Sequence, residues 1–213
     1  MKNLLVRCSE LHKLMTKPRS KSEEISATTK SWLKEKIKEE FYGYRKQLDT
    51  PAITKGIDME FKSIELLNDV TFSSWKKNEE RKSNGWLTGE PDLVGEDCIE
   101  DIKSSWSLET FPAFQEDADD AVKKAGYDWQ LRGYMLLFNK SQARIRYCMI
   151  STPDYLLKDW DNKAIHEVDN IDPSARITTV EIERDVNFED DMMAQYAIAN
   201  KYYQEYWKEI ANK

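Results

Sequence analysis

Apolar positions along the chain recur at two spacings, three-to-four for helix and two for strand. Leu4, Leu5, Leu11 and Leu14 predict a short helix over 4–15, with Ser9 near its start. Lys17 to Glu24, broken by Pro18, reads as an exposed basic loop. Ser26 suits the cap of a helix running to about Phe41, with Trp32, Leu33, Ile37 and Phe41 on one stripe. After a connection from Gly43 to Pro51, a third helix over 53–69 carries Ile53, Ile57, Phe61, Ile64 and Leu67 as its apolar face, joined by Met59. Gly56 and Glu60 lie four apart on it, hence on one side. A meander of strands is expected at roughly 70–76, 85–94 and 98–104, joined by the polar stretch KKNEERKSN and the turn Gly95-Glu96-Asp97.

The acidic stretch 107–125 fits a loop over a site or the start of a helix. Then come a helix over 126–139, an alternating strand over 143–150, a largely irregular 153–175 and a strand over 176–184. The last helix opens on Glu189-Asp190-Asp191, favourable at the positive end of its dipole. Its stripe of Met193, Tyr196, Tyr203, Trp207 and Ile210 suits core or subunit contact better than base stacking.

At 213 residues the chain fits one domain, 1–213, with a basic helical part to about 50, a core over about 51–150 and a C-terminal strand and helix over about 151–213. A third of the residues are charged and mean hydropathy is −0.75, with no apolar run long enough to span a bilayer. Three cysteines without a CxxC pair argue against a disulfide scaffold, a zinc site or an iron–sulfur cluster, and suit a cytoplasmic setting. The net charge of −7 argues against a generic nucleic-acid coat. Residues 1–50 nevertheless hold 12 basic against 7 acidic side chains, a pattern compatible with a local phosphate groove. Two histidines disfavour a histidine-based hydrolase.

The candidate chemistry lies in Thr88 to Lys103, TGEPDLVGEDCIEDIK. On a strand, Asp101 and Lys103 leave one face and Ile102 the other. Asp92, delivered across a turn, adds a second carboxylate. Two acids suit a hard divalent cation bound through oxygen, and an ammonium beside an attacking water suits phosphodiester hydrolysis. A turn at Pro91-Asp92 and a surface ion pair at Asp101/Lys103 is the plainer reading of the motif alone.

The element order, with Pro91-Asp92 and Asp101-Ile102-Lys103 on successive strands, resembles the α-β-β-β-α-β mixed-sheet core of the PD-(D/E)xK (restriction-endonuclease-like) nuclease superfamily, an α/β fold, here with added N- and C-terminal helices. Gln130 and Tyr134, four apart, are similar to the helix signature of RecB-like members. Cys8-Ser9-Glu10-Leu11-His12, Lys17-Pro18-Arg19-Ser20 and Gly56-Ile57-Asp58-Met59-Glu60 resemble the lambda-exonuclease-like branch. The resemblance covers roughly residues 4–150.

That resemblance implies a magnesium- or manganese-dependent 5′-to-3′ exonuclease. Such enzymes digest one strand of duplex DNA from its ends, as a homotrimeric ring, beside a single-strand annealing partner. It implies Asp92, Asp101 and the Ile102 carbonyl as metal ligands, with Glu60 direct or through water. Lys103 would orient or help deprotonate the water and Gln130 position it. Ser9 would meet the terminal 5′-phosphate, with Arg7 or Arg19 beside it, because the family's arginine lies farther upstream than Arg7. Ser104 and Tyr134 are further DNA-contact candidates. An endonuclease or repair nuclease of the same superfamily is the alternative that keeps the chemistry. A catalytically silent DNA-end-binding protein is the alternative that loses it.

Overall fold

A computed structural model of the chain describes residues 2–46 and 49–212. Its elements in order are β1 (Val6–Arg7), a 3₁₀ turn (Cys8–Glu10), α1 (Leu11–Leu14), α2 (Ala27–Tyr42), α3 (Pro51–Asp58), α4 (Glu60–Thr71), β2 (Lys82–Ser83), β3 (Leu87–Gly89), β4 (Leu93–Val94), β5 (Cys98–Ser104), α5 (Gln115–Ala125), α6 (Tyr127–Phe138), β6 (Gln142–Cys148), β7 (Ile177–Glu183) and α7 (Val186–Ala211). The expected order of helix, strands, helix, strand is met by α4, β4 and β5, α6 and β6, with β3 in a separate sheet and α5 between β5 and α6.

The main sheet runs β4-β5-β6-β7, with β5 and β6 parallel and the outer pairs antiparallel. A small sheet, β1-β3-β2, lies at the N-terminal part. Ile99, Ala143, Ile145 and Tyr147 from the main sheet join Leu131, Tyr134, Met135 and Phe138 of α6 in the larger apolar cluster. Ile102 and Cys148, from the opposite face, pack with Ile64, Leu66 and Leu67 of α4. The sheet is thus buried on both faces, as its parallel centre requires.

Several expectations are corrected. The helix over 4–15 begins as strand: Leu4 and Val6 are buried while Leu5 is exposed, an alternation of two, and Val6 donates to the Trp86 carbonyl. No strand forms over 70–76, because α4 continues to Thr71 and Phe72 closes it in the left-handed conformation. The Asn68 side chain then takes both backbone groups of Trp75, leaving no ladder to join. The strand over 85–94 splits at Pro91 into β3 and β4, which belong to different sheets. The stretch 107–125 is half helix, α5. The C-terminal helix starts at Val186 on an Asp185 cap, and Met192, rather than Met193, is buried.

The helix over 53–69 is two helices, broken at Met59. Ile53, Ile57 and Phe61 of its expected apolar stripe are exposed, while Lys55 is fully buried. Positions 47 and 48 of the expected connection lie outside the described residues. Among the described residues, no helix is long and apolar enough to cross a membrane, and all three cysteines are buried free thiols.

Candidate active site

The pairing of β4 with β5 assembles the acids. Leu93 lies opposite Glu100, so the antiparallel register continued by one residue sets Asp92 opposite Asp101. Asp92 Oδ2 accepts a hydrogen bond from the Ile102 N–H at 2.6 Å. Asp101 leaves the sheet on the α6 side and is 1% exposed. Its Oδ1 accepts from Gln130 Nε2 at 3.1 Å, and the same amide nitrogen donates to the Tyr134 hydroxyl at 3.0 Å. Its Oδ2 is buried and lies 2.5 Å from Lys103 Nζ as an ion pair. The Lys103 ammonium also stands 4.6 Å from the centroid of the Tyr127 ring.

The sequence CIEDIK offers two adjacent acids, and the pleat sorts them. Glu100 points to the opposite face, where Arg144 and Arg146 neutralise it. Asp101 alone faces Asp92.

Burial, and next the charge of Asp101, push the Asp92 carboxyl up to about 7, against the pull of Lys103 and the Ile102 N–H. Burial disfavours the Lys103 ammonium, yet Asp101 and Asp92 outweigh it and raise its pKa above the ordinary lysine value. The site therefore sets two carboxylates against one lysine. A hard cation fits that imbalance and that all-oxygen donor set. Asp92, Asp101 and the Ile102 carbonyl would hold it. Among the described residues, no group of three or more His, Cys, Asp or Glu converges tightly enough to cage an ion. Water would complete the shell, as suits magnesium, which is bound through one or two carboxylates.

Asp92 opens onto a cleft of about 650 Å³ lined also by Gly56, Glu60, Lys103, Ser104 and Tyr147, with Asp101 buried behind it. Glu60 sits on its rim, ion-paired with Lys77. Ser104 shares a hydrogen bond of 2.9 Å with Ser63, and either hydroxyl can be its donor.

The N-terminal turn is seated against the site by Cys8. A Cβ at Gly89 would stand 2.6 Å from Cys8 Sγ and 2.7 Å from the Tyr134 ring, and one at Gly133 would stand 2.9 Å from Cys8 Sγ. Ser9 is exposed on this turn. Arg7 is drawn to Glu10 at 3.3 Å, while exposed Arg19 makes no ion pair among the described residues. Neither arginine is brought to the two aspartates by any described contact. Gly89→Ala is expected to cost about 1–3 kcal/mol by overpacking and to loosen the Cys8–Glu10 turn. Thermal unfolding measures the first effect, and faster amide exchange across residues 8–11 the second.

Four residues around the site carry no signal in the sequence. Lys77 meets Glu60 across a loop. Tyr127 lies under Lys103. Tyr147 reaches the site only because the parallel register pairs it with Lys103, and its buried hydroxyl lacks a partner among the described residues. Lys55 binds backbone fifty residues away.

No family model and no curated protein matches the chain. Among solved structures it is similar to a phage-related exonuclease from Haemophilus somnus 129PT, at 34% identity and a TM-score of 0.92, over 98% of this chain and 97% of that one. It is also similar to an alkaline exonuclease, LHK-Exo, from Laribacter hongkongensis, at 13% identity and a TM-score of 0.65, over 98% of this chain and 92% of that one. LHK-Exo in complex with dAMP matches to the same degree. The second likeness shows the shared fold.

Proposed function

The chain belongs to the family of phage-related, lambda-exonuclease-like nucleases, and from that membership we propose that it digests one strand of linear double-stranded DNA from its ends, in the 5′-to-3′ direction. Magnesium is the proposed metal, with manganese able to replace it. The observation that carries the hydrolytic site is the pairing of buried Asp101 with Lys103, which lines one cleft together with Asp92. A phage-type recombination role, a homotrimeric ring, a single-strand annealing partner and a cytoplasmic setting rest on the family resemblance.

When bound, a divalent cation supplies Lewis acidity toward the phosphate and lowers the pKa of a coordinated water. The chain's own residues do the rest. In the metal-free chain burial is outweighed by Asp101 and Asp92, which hold the Lys103 pKa above the ordinary lysine value. The lysine stabilises negative charge building on the phosphate and, with a cation offsetting the two aspartates, would orient the attacking water or help to take its proton. Gln130 spends its amide nitrogen on Asp101 and Tyr134. Its carbonyl oxygen is left to accept from the water and so to aim it. Glu60 acts from the rim, through water. Ser9 is the proposed contact to the terminal phosphate, with Arg7 or Arg19 as the accompanying cation. Ser104 lines the cleft as a proposed strand contact, whereas Tyr134, buried in the core, holds the Gln130 amide instead of meeting DNA.

The test is digestion of a linear duplex labelled separately at each 5′ and 3′ end, beside a closed circular duplex, with magnesium and then with chelator. The expected result is mononucleotide release from the 5′-labelled ends, intact circles and no reaction with chelator. Nicked circles would identify an endonuclease of the same fold. No cleavage of any substrate would leave an end-binding protein.

A further inference from the structure

The inward side chain of α3 is a lysine. Lys55 is fully buried, and its Nζ donates to the Ser105 carbonyl at 2.7 Å and to the Trp106 carbonyl at 3.0 Å. No carboxylate pairs with it among the described residues. An ammonium buried against neutral carbonyls alone is costly, and burial pushes its pKa down to about 8. Methionine would fill similar volume at less cost. The Trp106 carbonyl is gripped further by Thr152 Oγ1 at 2.9 Å and by His166 Nδ1 at 3.2 Å.

This grip sets the direction of a peptide. All peptide bonds described are trans, so the C=O of Ser105 and the N–H of Trp106 point opposite ways. With the carbonyl drawn inward to Lys55, the Trp106 N–H faces away from α3, and no acceptor among the described residues meets it. A backbone N–H is an obligatory donor that normally finds a partner. Ser104, Ser105 and Trp106 line the same cleft as Asp92 and Lys103. Trp106 follows Lys103 by three residues, past the end of β5 at Ser104, so its N–H lies at most roughly 10 Å farther along the cleft, a reach that suits a phosphate next to the one being cut.

We propose that the Trp106 main-chain N–H binds a non-scissile phosphate of the DNA strand in the cleft, and that Lys55 is the positioning residue that turns this peptide outward and lends it positive potential. The buried ammonium thereby finds its counter-charge in the substrate. The inference rests on the nuclease reading above.

The chain labelled with ¹⁵N-tryptophan gives seven backbone amide signals, and Trp106→Phe identifies the one wanted. Titration with a short 5′-phosphorylated linear duplex, with calcium in place of magnesium, should move the Trp106 amide proton downfield. In the same buffer Lys55→Met should weaken duplex binding about tenfold near neutral pH, the size of one charge-assisted hydrogen bond. His166 is the other titratable group on this carbonyl, and the variant keeps it.

At about pH 9.5 the neutral Lys55 amine still donates to both carbonyls but carries no charge, so the gap between wild type and Lys55→Met should close. A gap that persists at that pH would mean a purely structural lysine and overturn the proposal. Duplex binding with an unmoved Trp106 amide would overturn it as well, leaving the nuclease reading intact. Absence of any duplex binding would remove both. Should Lys55→Met fail to fold, the wild-type amide titration decides alone.

Discussion

Lys103→Ala is expected to lower turnover on linear duplex DNA by about 10²–10³-fold, the usual cost of losing one donor aimed at developing charge, while affinity for duplex ends changes little. The physical basis is the position of Nζ, 2.5 Å from Asp101 Oδ2 at the lip of the cleft, and the two carboxylates that hold its pKa up against burial. Single-turnover digestion with magnesium measures the rate, and anisotropy of a labelled duplex with calcium measures binding. Lys103→Arg keeps the charge and controls for instability of the acidic pair once its cation is removed. Unchanged turnover in Lys103→Ala would remove the lysine from the mechanism.

Asp92→Asn is expected to abolish both activity and the heat of manganese binding seen by calorimetry with wild type, because it removes one of the two carboxylates that face each other across β4 and β5. Its effect on the metal-free protein has the opposite sign. Asp92 is held near 7 in the folded chain, so between about pH 4 and about pH 7 the native state binds more protons than the unfolded state, and stability falls as pH rises through that window. Metal-free wild type should therefore melt lower at about pH 8 than at about pH 5. Asp92→Asn should flatten that dependence and melt higher at about pH 8, since an amide oxygen still accepts from the Ile102 N–H without the repulsion. Magnesium should raise the melting temperature of wild type and leave that of the variant unmoved. Equal binding of metal by both proteins would overturn the ligand assignment.

The two motifs that name the chemistry were readable because they are local. Asp101 and Lys103 share a face by the strand period, and Gln130 and Tyr134 share one by the helix period, so spacing alone predicts which side chains can act together. The short strands were harder. Val70 and Phe72 look strand-like, but the Asn68 amide captures the backbone of Trp75 and ends the segment before a ladder forms. The apolar stripe of 53–69 misled for a related reason. Periodicity says which residues share a side of a helix, and only packing says which side is inward. Here that side carries Lys55, because two carbonyls from beyond β5 were there to receive its ammonium.

The sequence by itself determined the fold class, the family resemblance and the candidate acids, lysine and glutamine, since those depend on short-range periods and motif order. Tertiary structure decided that Asp92 faces Asp101 while Glu100 turns to arginines, that Lys77 pairs with Glu60 and Tyr147 borders the cleft, and that a buried lysine holds two carbonyls at its edge. Each of these depends on strand register or on contacts between residues tens of positions apart, and neither is encoded in any local pattern of side chains.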